Sequence, residues 1–95
     1  MRADARVPAA IRVLIADDHA VVREGLRSVL DTDSGFDVVG EASDGAMALS
    51  LARELQPDVI VLDLSLPKLP GLAVLARLRE VAPTTRALVL SIHDH

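Results

Sequence analysis

The chain has 95 residues, 51% of them hydrophobic and one of them aromatic (Phe36), with 10 Lys+Arg against 14 Asp+Glu for a formal charge of −4 and no cysteine. That length suits one domain, or part of one, built on an aliphatic core. The composition excludes a disulfide scaffold, a thiolate metal site and a Cys nucleophile. It gives this segment no basic cluster to meet a nucleic-acid backbone, and no apolar stretch near the roughly 20 residues of a membrane span.

The opening MRADARVPAA is polar and lacks the apolar core of a signal peptide, so residues 1–10 read as a frayed leader of a cytoplasmic protein. Ile11–Ala16 is a β-branched and aliphatic run, a strand that stops at Asp17-Asp18. Val22, Leu26, Val29 and Leu30 recur at helical spacing and predict an amphipathic helix with those four on its apolar face. Asp31–Gly35 is a turn cluster, and Phe36–Glu41 is a second strand. Ser43 or Asp44 caps a helix in which Ala48, Leu51, Ala52 and Leu55 share a face, and Pro57 stops it. Val59–Leu62 is a third strand ending at Asp63. The loop Leu64–Pro70 then leads to a helix carried by Val74, Leu75, Leu78, Val81 and Ala82 and closed by Pro83. Ala87–Leu90 is a fourth strand, followed by Ser91.

Strands alternating with helices in short units imply right-handed crossovers, hence a doubly wound parallel α/β sheet of flavodoxin-like type, strand order 2-1-3-4. The fourth strand is apolar on both faces, yet nothing after it covers its second face or its edge. The expectation is an incomplete sheet, finished by a continuing chain or by a second copy through association or swapping.

Open parallel sheets bind ligands beyond the carboxyl ends of their strands, where strand order reverses. Asp17 and Asp18 end the first strand, Asp63 the third and Ser91 the fourth, so three carboxylates and a hydroxyl meet on one rim. Such acids repel unless a cation sits among them, and an all-oxygen set favours a hard ion such as Mg²⁺. An Asp beside that ion is a nucleophile towards phosphorus, and Asp63, fixed by an apolar strand and open on its loop side, is the best candidate. Ser91 would then bond a phosphoryl oxygen in the modified state and sense it. Taken singly, Asp17 is as well a helix cap and Asp63 a turn former.

The stretches IADDHAVVREGL, VIVLDLSLPKLPGL and ALVLS together resemble the response-regulator receiver domain (CheY-like), and Asp-Asp-His with Arg23 and Gly25 looks like its NarL/FixJ subfamily. The resemblance covers residues 11–95. It implies that Asp63 is the phosphoacceptor, that Asp17 and Asp18 position Mg²⁺, that Ser65 lends the metal its backbone carbonyl, and that Ser91 is the switch hydroxyl. Pro67 and Gly71 match the Pro and Gly that follow the phosphoacceptor in that family. The resemblance further implies a phosphoryl group taken from a sensor histidine kinase, altered dimerisation, and a DNA-binding helix-turn-helix output of which no residue is present. The family's lysine and switch aromatic belong to a fifth strand that the sequence does not contain, and Ile92 stands where small residues are common in receivers.

Such a domain is a single-turnover partner in transfer more than an enzyme. A haloacid-dehalogenase phosphatase would carry Asp-x-Asp after its first strand, which Asp17-Asp18-His19 does not fit. A receiver-like interaction or dimerisation module that is never phosphorylated is the alternative. Among the remaining polar residues, His19 is expected to start the first helix at the rim, with a lesser prospect of modulating the acids electrostatically. Arg23 and Arg27 are expected to form a solvated face, and His93-Asp94-His95 an exposed end. Leu66, Leu69 and Leu72 anchor the loop or mark a partner surface.

Overall fold

The computed structural model describes residues 9–90. Most of the expected leader, together with Ser91, Ile92 and His93-Asp94-His95, lies outside the described residues. The elements are β1 (Ile11–Ala16), α1 (Ala20–Asp31), β2 (Phe36–Ala42), α2 (Gly45–Leu55), β3 (Val59–Asp63), α3 (Gly71–Val81) and β4 (Arg86–Leu90). All strand pairs are parallel and the order is β2-β1-β3-β4, as the alternation of strand and helix implies. β2 and β3 each run one residue further than the apolar pattern suggests. The ladder carries Asp63, opposite Leu90, into β3.

Side chains alternate across the sheet and build two cores. Leu14, Ala16, Ile60 and Leu62 meet Ala48 and Ala52 of α2 and Val74 and Leu78 of α3. Val13, Ile15 and Val61 point the other way and pack against the half-buried Leu26 and Leu30 of α1. β4 belongs mostly to neither: Leu88 is 56% exposed, and its outer edge pairs with no strand among the described residues. No helix among the described residues is long and apolar enough to cross a membrane.

α2 starts at Asp44, whose Oδ1 accepts the Met47 N–H at 2.7 Å, so Asp44 and not Ser43 is the cap. It ends at Gln56, in the left-handed region at φ 48°, because Pro57 has no N–H with which to continue. α1 corrects one expectation. Val29 is 68% exposed, since the helix is rotated so that its other flank, carrying Arg23 and Arg27, lies over β2.

The β1–β2 ladder contains a bulge: Val13 pairs with Val38, but Leu14 pairs with Gly40, leaving Val39 as an extra residue. One extra residue reverses the facing of everything after it. Glu41 therefore pairs with Ile15 and faces α1, where unbroken alternation would have turned it towards α2.

Two glycines separate packing from propensity. A Cβ on Gly45 would lie 1.9 Å from the Leu69 carbonyl oxygen, because the start of α2 is pressed against the β3–α3 loop and bonded to it through Gly45 N–H and Pro67 O at 3.1 Å. A Cβ on Gly25, within α1, meets nothing within 4 Å. Urea unfolding should show Gly45→Ala destabilised by about 1–3 kcal/mol through overpacking, and Gly25→Ala stabilised by about 0.5–1 kcal/mol through helix propensity. Equal effects at both positions would contradict this packing.

Candidate functional site

Ala16 pairs with Leu62, so the next residues, Asp17 and Asp63, emerge side by side at the carboxyl ends of two central strands. Both are buried, at 4% and 8% exposure. Asp18, one residue on, is more open. One ligating atom from each of Asp17, Asp18, His19 and Asp63 falls within 4.8 Å of the others. The three acids expected at the rim are thus brought together, and a histidine has joined them.

The two oxygens of Asp63 differ. Oδ1 accepts from the Ser65 N–H and from the Ser65 hydroxyl, both at 3.0 Å. Oδ2 accepts no hydrogen bond among the described residues. Ser65 therefore orients the carboxylate through its side chain as well as its backbone, a contribution the sequence reading had confined to the carbonyl. The loop that follows is anchored by Leu66, which is buried, and by the half-buried Leu69, while Leu72 is 69% exposed. Lys68, at φ 69°, places Nζ 3.6 Å from Asp44 Oδ2 and ties the loop to the start of α2.

Asp17 Oδ1 accepts the His19 N–H at 2.8 Å, closing a local turn ahead of α1. His19 is the N-cap residue of α1 but makes no side-chain cap bond. Its ring turns back instead. Nδ1 lies 2.9 Å from Asp17 Oδ1 and 3.0 Å from Asp18 Oδ1. The hydrogen bond to Asp17, and then the charge of Asp18, raise the His19 pKa above its ordinary 6.5. The two acids thus favour the protonated form of this exposed ring. The reading of His19 as a helix starter holds, and its electrostatic part is larger than that reading allowed. The signal was its place two residues after Asp17, which lets the backbone N–H and the ring reach one carboxylate.

Arg23 and Arg27 are not a solvated face. Arg23 Nε donates to Glu41 Oε1 at 3.1 Å and Arg27 Nε to Oε2 at 2.7 Å. These contacts, that of Arg27 foremost, hold the Glu41 pKa below its ordinary 4.5. Arg23 Nη1 also donates to the Asp17 backbone carbonyl. Sequence reasoning missed Glu41 because the bulge at Val39 is what turns it to this side. An open groove of about 490 Å³ between α2 and α3, lined by Leu49, Arg53, Leu69 and Arg77 among others, lies apart from the acid cluster.

The model of the response regulator receiver domain matches residues 13–95, nearly the whole chain. The chain belongs to the response regulator receiver domain family. It is 43% identical over 83 residues to the nitrate/nitrite response regulator protein NarP of Escherichia coli, covering 87% of this chain and 39% of NarP. The solved signal receiver domain of the response regulator NarL from Mycobacterium tuberculosis superposes with a TM-score of 0.86 at 42% identity, covering 93% of this chain and 71% of that one. A protein-glutamate methylesterase/protein-glutamine glutaminase of Xanthomonas oryzae pv. oryzae is 43% identical over 84 residues, 88% of this chain and 24% of the enzyme. The chain therefore spans about two fifths of NarP and about a quarter of the methylesterase. NarL and NarP are the kind of relative anticipated from the Asp-Asp-His motif, and the methylesterase shares a segment of the same size.

A raised His19 pKa has a definite sign. The imidazolium's contribution to stability is complete below pH 6.5 and fades as pH rises through the folded-state pKa. An NMR titration of metal-free protein should place the His19 ring above 6.5, and Asp17→Asn, which removes the leading cause, should move it back towards that value. An unmoved ring would contradict the pairing.

Proposed function

We propose that residues 11–95 receive a phosphoryl group on Asp63 from a phosphohistidine of a sensor histidine kinase, with Mg²⁺ held by Asp17, Asp18, Asp63 and the Ser65 backbone carbonyl. The observation that carries the reading is the convergence of three carboxylates at the ends of β1 and β3, with one oxygen of Asp63 unengaged among the described residues. The donor set fits a hard divalent ion: three carboxylates from two segments, with their oxygens close together. When bound, Mg²⁺ neutralises the charge on the transferring phosphoryl group.

The chain's own part is nucleophile, orientation and sensing. Ser65 holds Oδ1 of Asp63 and leaves Oδ2 to attack phosphorus; the phosphorus–nitrogen bond breaks, a phosphorus–oxygen bond forms, and the kinase imidazole leaves as the neutral base after taking a proton. Leu90 pairs with Asp63 in the β3–β4 ladder, and Ser91 follows Leu90 in the chain, which suits Ser91 as the hydroxyl that answers the new phosphoryl oxygens. The modified state biases a two-state element near Ser91 and, through it, dimerisation and an attached DNA-binding output. The protein works in the cytoplasm, as a phosphoacceptor and not as an enzyme.

Incubation with acetyl phosphate and Mg²⁺, followed by intact mass measurement, should add one phosphoryl group, and Asp63→Asn should abolish the gain. A well-folded protein that gains nothing would turn the reading towards an unphosphorylated interaction module.

A further inference from the structure

The residues that place Asp17 lie outside the acid cluster. The Asp17 N–H donates to the Ala42 carbonyl at 3.0 Å, and the Asp17 carbonyl accepts from Arg23 Nη1. Arg23 is in turn fixed by Glu41, the neighbour of Ala42. Two successive residues of β2 therefore hold Asp17 from both ends, one through its backbone and the other through an arginine carried on α1. Arg23 is largely shielded, with 19% of its side chain exposed.

The carbonyl that Arg23 caps belongs to the peptide joining Asp17 to Asp18. That unit is planar, so holding its oxygen restrains the plane that links the two acidic residues. An arginine suits the task because its guanidinium donates along two directions at once, to Glu41 through Nε and to the carbonyl through Nη1, which a lysine ammonium at the end of a flexible stem does not reproduce. We infer that Arg23, braced by Glu41, is a positioning residue that holds the Asp17-Asp18 pair in the geometry required to take up a divalent cation. The inference rests on the reading of the acid cluster as a metal seat.

Arg27 supplies the control. It binds the same Glu41 at 2.7 Å yet makes no contact with the β1–α1 turn among the described residues. If the ion pairs served stability alone, losing either arginine would act alike. The proposed role separates them. In metal-free protein the Asp18 amide resonance, which reports on the capped peptide, should shift in Arg23→Gln and stay in place in Arg27→Gln. Mg²⁺ affinity, followed by NMR titration, should fall roughly tenfold in Arg23→Gln, as for other residues that orient ligands from behind, and should be unchanged in Arg27→Gln. Arg23→Lys, which keeps the charge but has a single donor nitrogen in place of the fork, gives a milder substitution should the Gln variant unfold, and it should also bind Mg²⁺ more weakly than the unaltered chain. Equal Mg²⁺ affinity in folded Arg23 variants, or equal loss in Arg27→Gln, would overturn the inference. If the unaltered chain took up no Mg²⁺, the functional reading would fall; the tie would still be upheld by an Asp18 shift confined to the Arg23 variants and overturned by its absence.

Discussion

Two neighbouring parallel strands that pair Ala16 with Leu62 must release Asp17 and Asp63 side by side, and the hydrophobic cores on both faces leave that register no freedom. Slipping β3 by one residue would separate the carboxylates, but it would also turn Ile60 and Leu62 out of one core and Val61 out of the other. Burial of aliphatic side chains, at about 25 cal/mol for each Å² removed from water, thus holds like charges together against their repulsion. The rest of the site answers that imposed repulsion. His19 brings its ring nitrogen to Asp17 and Asp18, Ser65 brings two donors to Asp63, and Arg23 brings a guanidinium to the backbone between the first two acids.

This division of labour fits a domain shared by proteins of different length. The similarity to NarP and to a methylesterase takes in 87% and 88% of this chain but 39% and 24% of those proteins. A rim built from strand ends is well suited to that use. The sheet fixes where the acids emerge, and the loop that follows β3 adds Ser65 to orient Asp63.

Much of the fold was legible because apolar runs and breakers agreed. β1 has the bounds its β-branched run suggests, Pro57 ends α2, and Val74 and Leu78 bury as their spacing requires. The acid convergence was legible for the same reason, since each Asp terminates an apolar strand. What escaped depended on tertiary detail. Val29 fits the apolar period of α1, but the pairing of two arginines with Glu41 rotates the helix away from it. Glu41 itself reaches that face only through the bulge at Val39, and no composition or period in the sequence announces one extra residue in a ladder. His19 was visible as a rim residue, though its contact with both acids depends on the turn that Asp17 makes around it. Ser91 lies outside the described residues, so its part continues to rest on its place in the chain.

The account stands on one seat for one cation, shared by acids from β1 and β3. Paramagnetic broadening by substoichiometric Mn²⁺, read on the backbone amides, tests this most directly. Asp17, Asp18, Asp63 and Ser65 should lose intensity together and first, while Leu49, Arg53 and Arg77 at the α2–α3 groove keep theirs. Broadening spread evenly over the acidic surface, or centred away from Asp63, would contradict it.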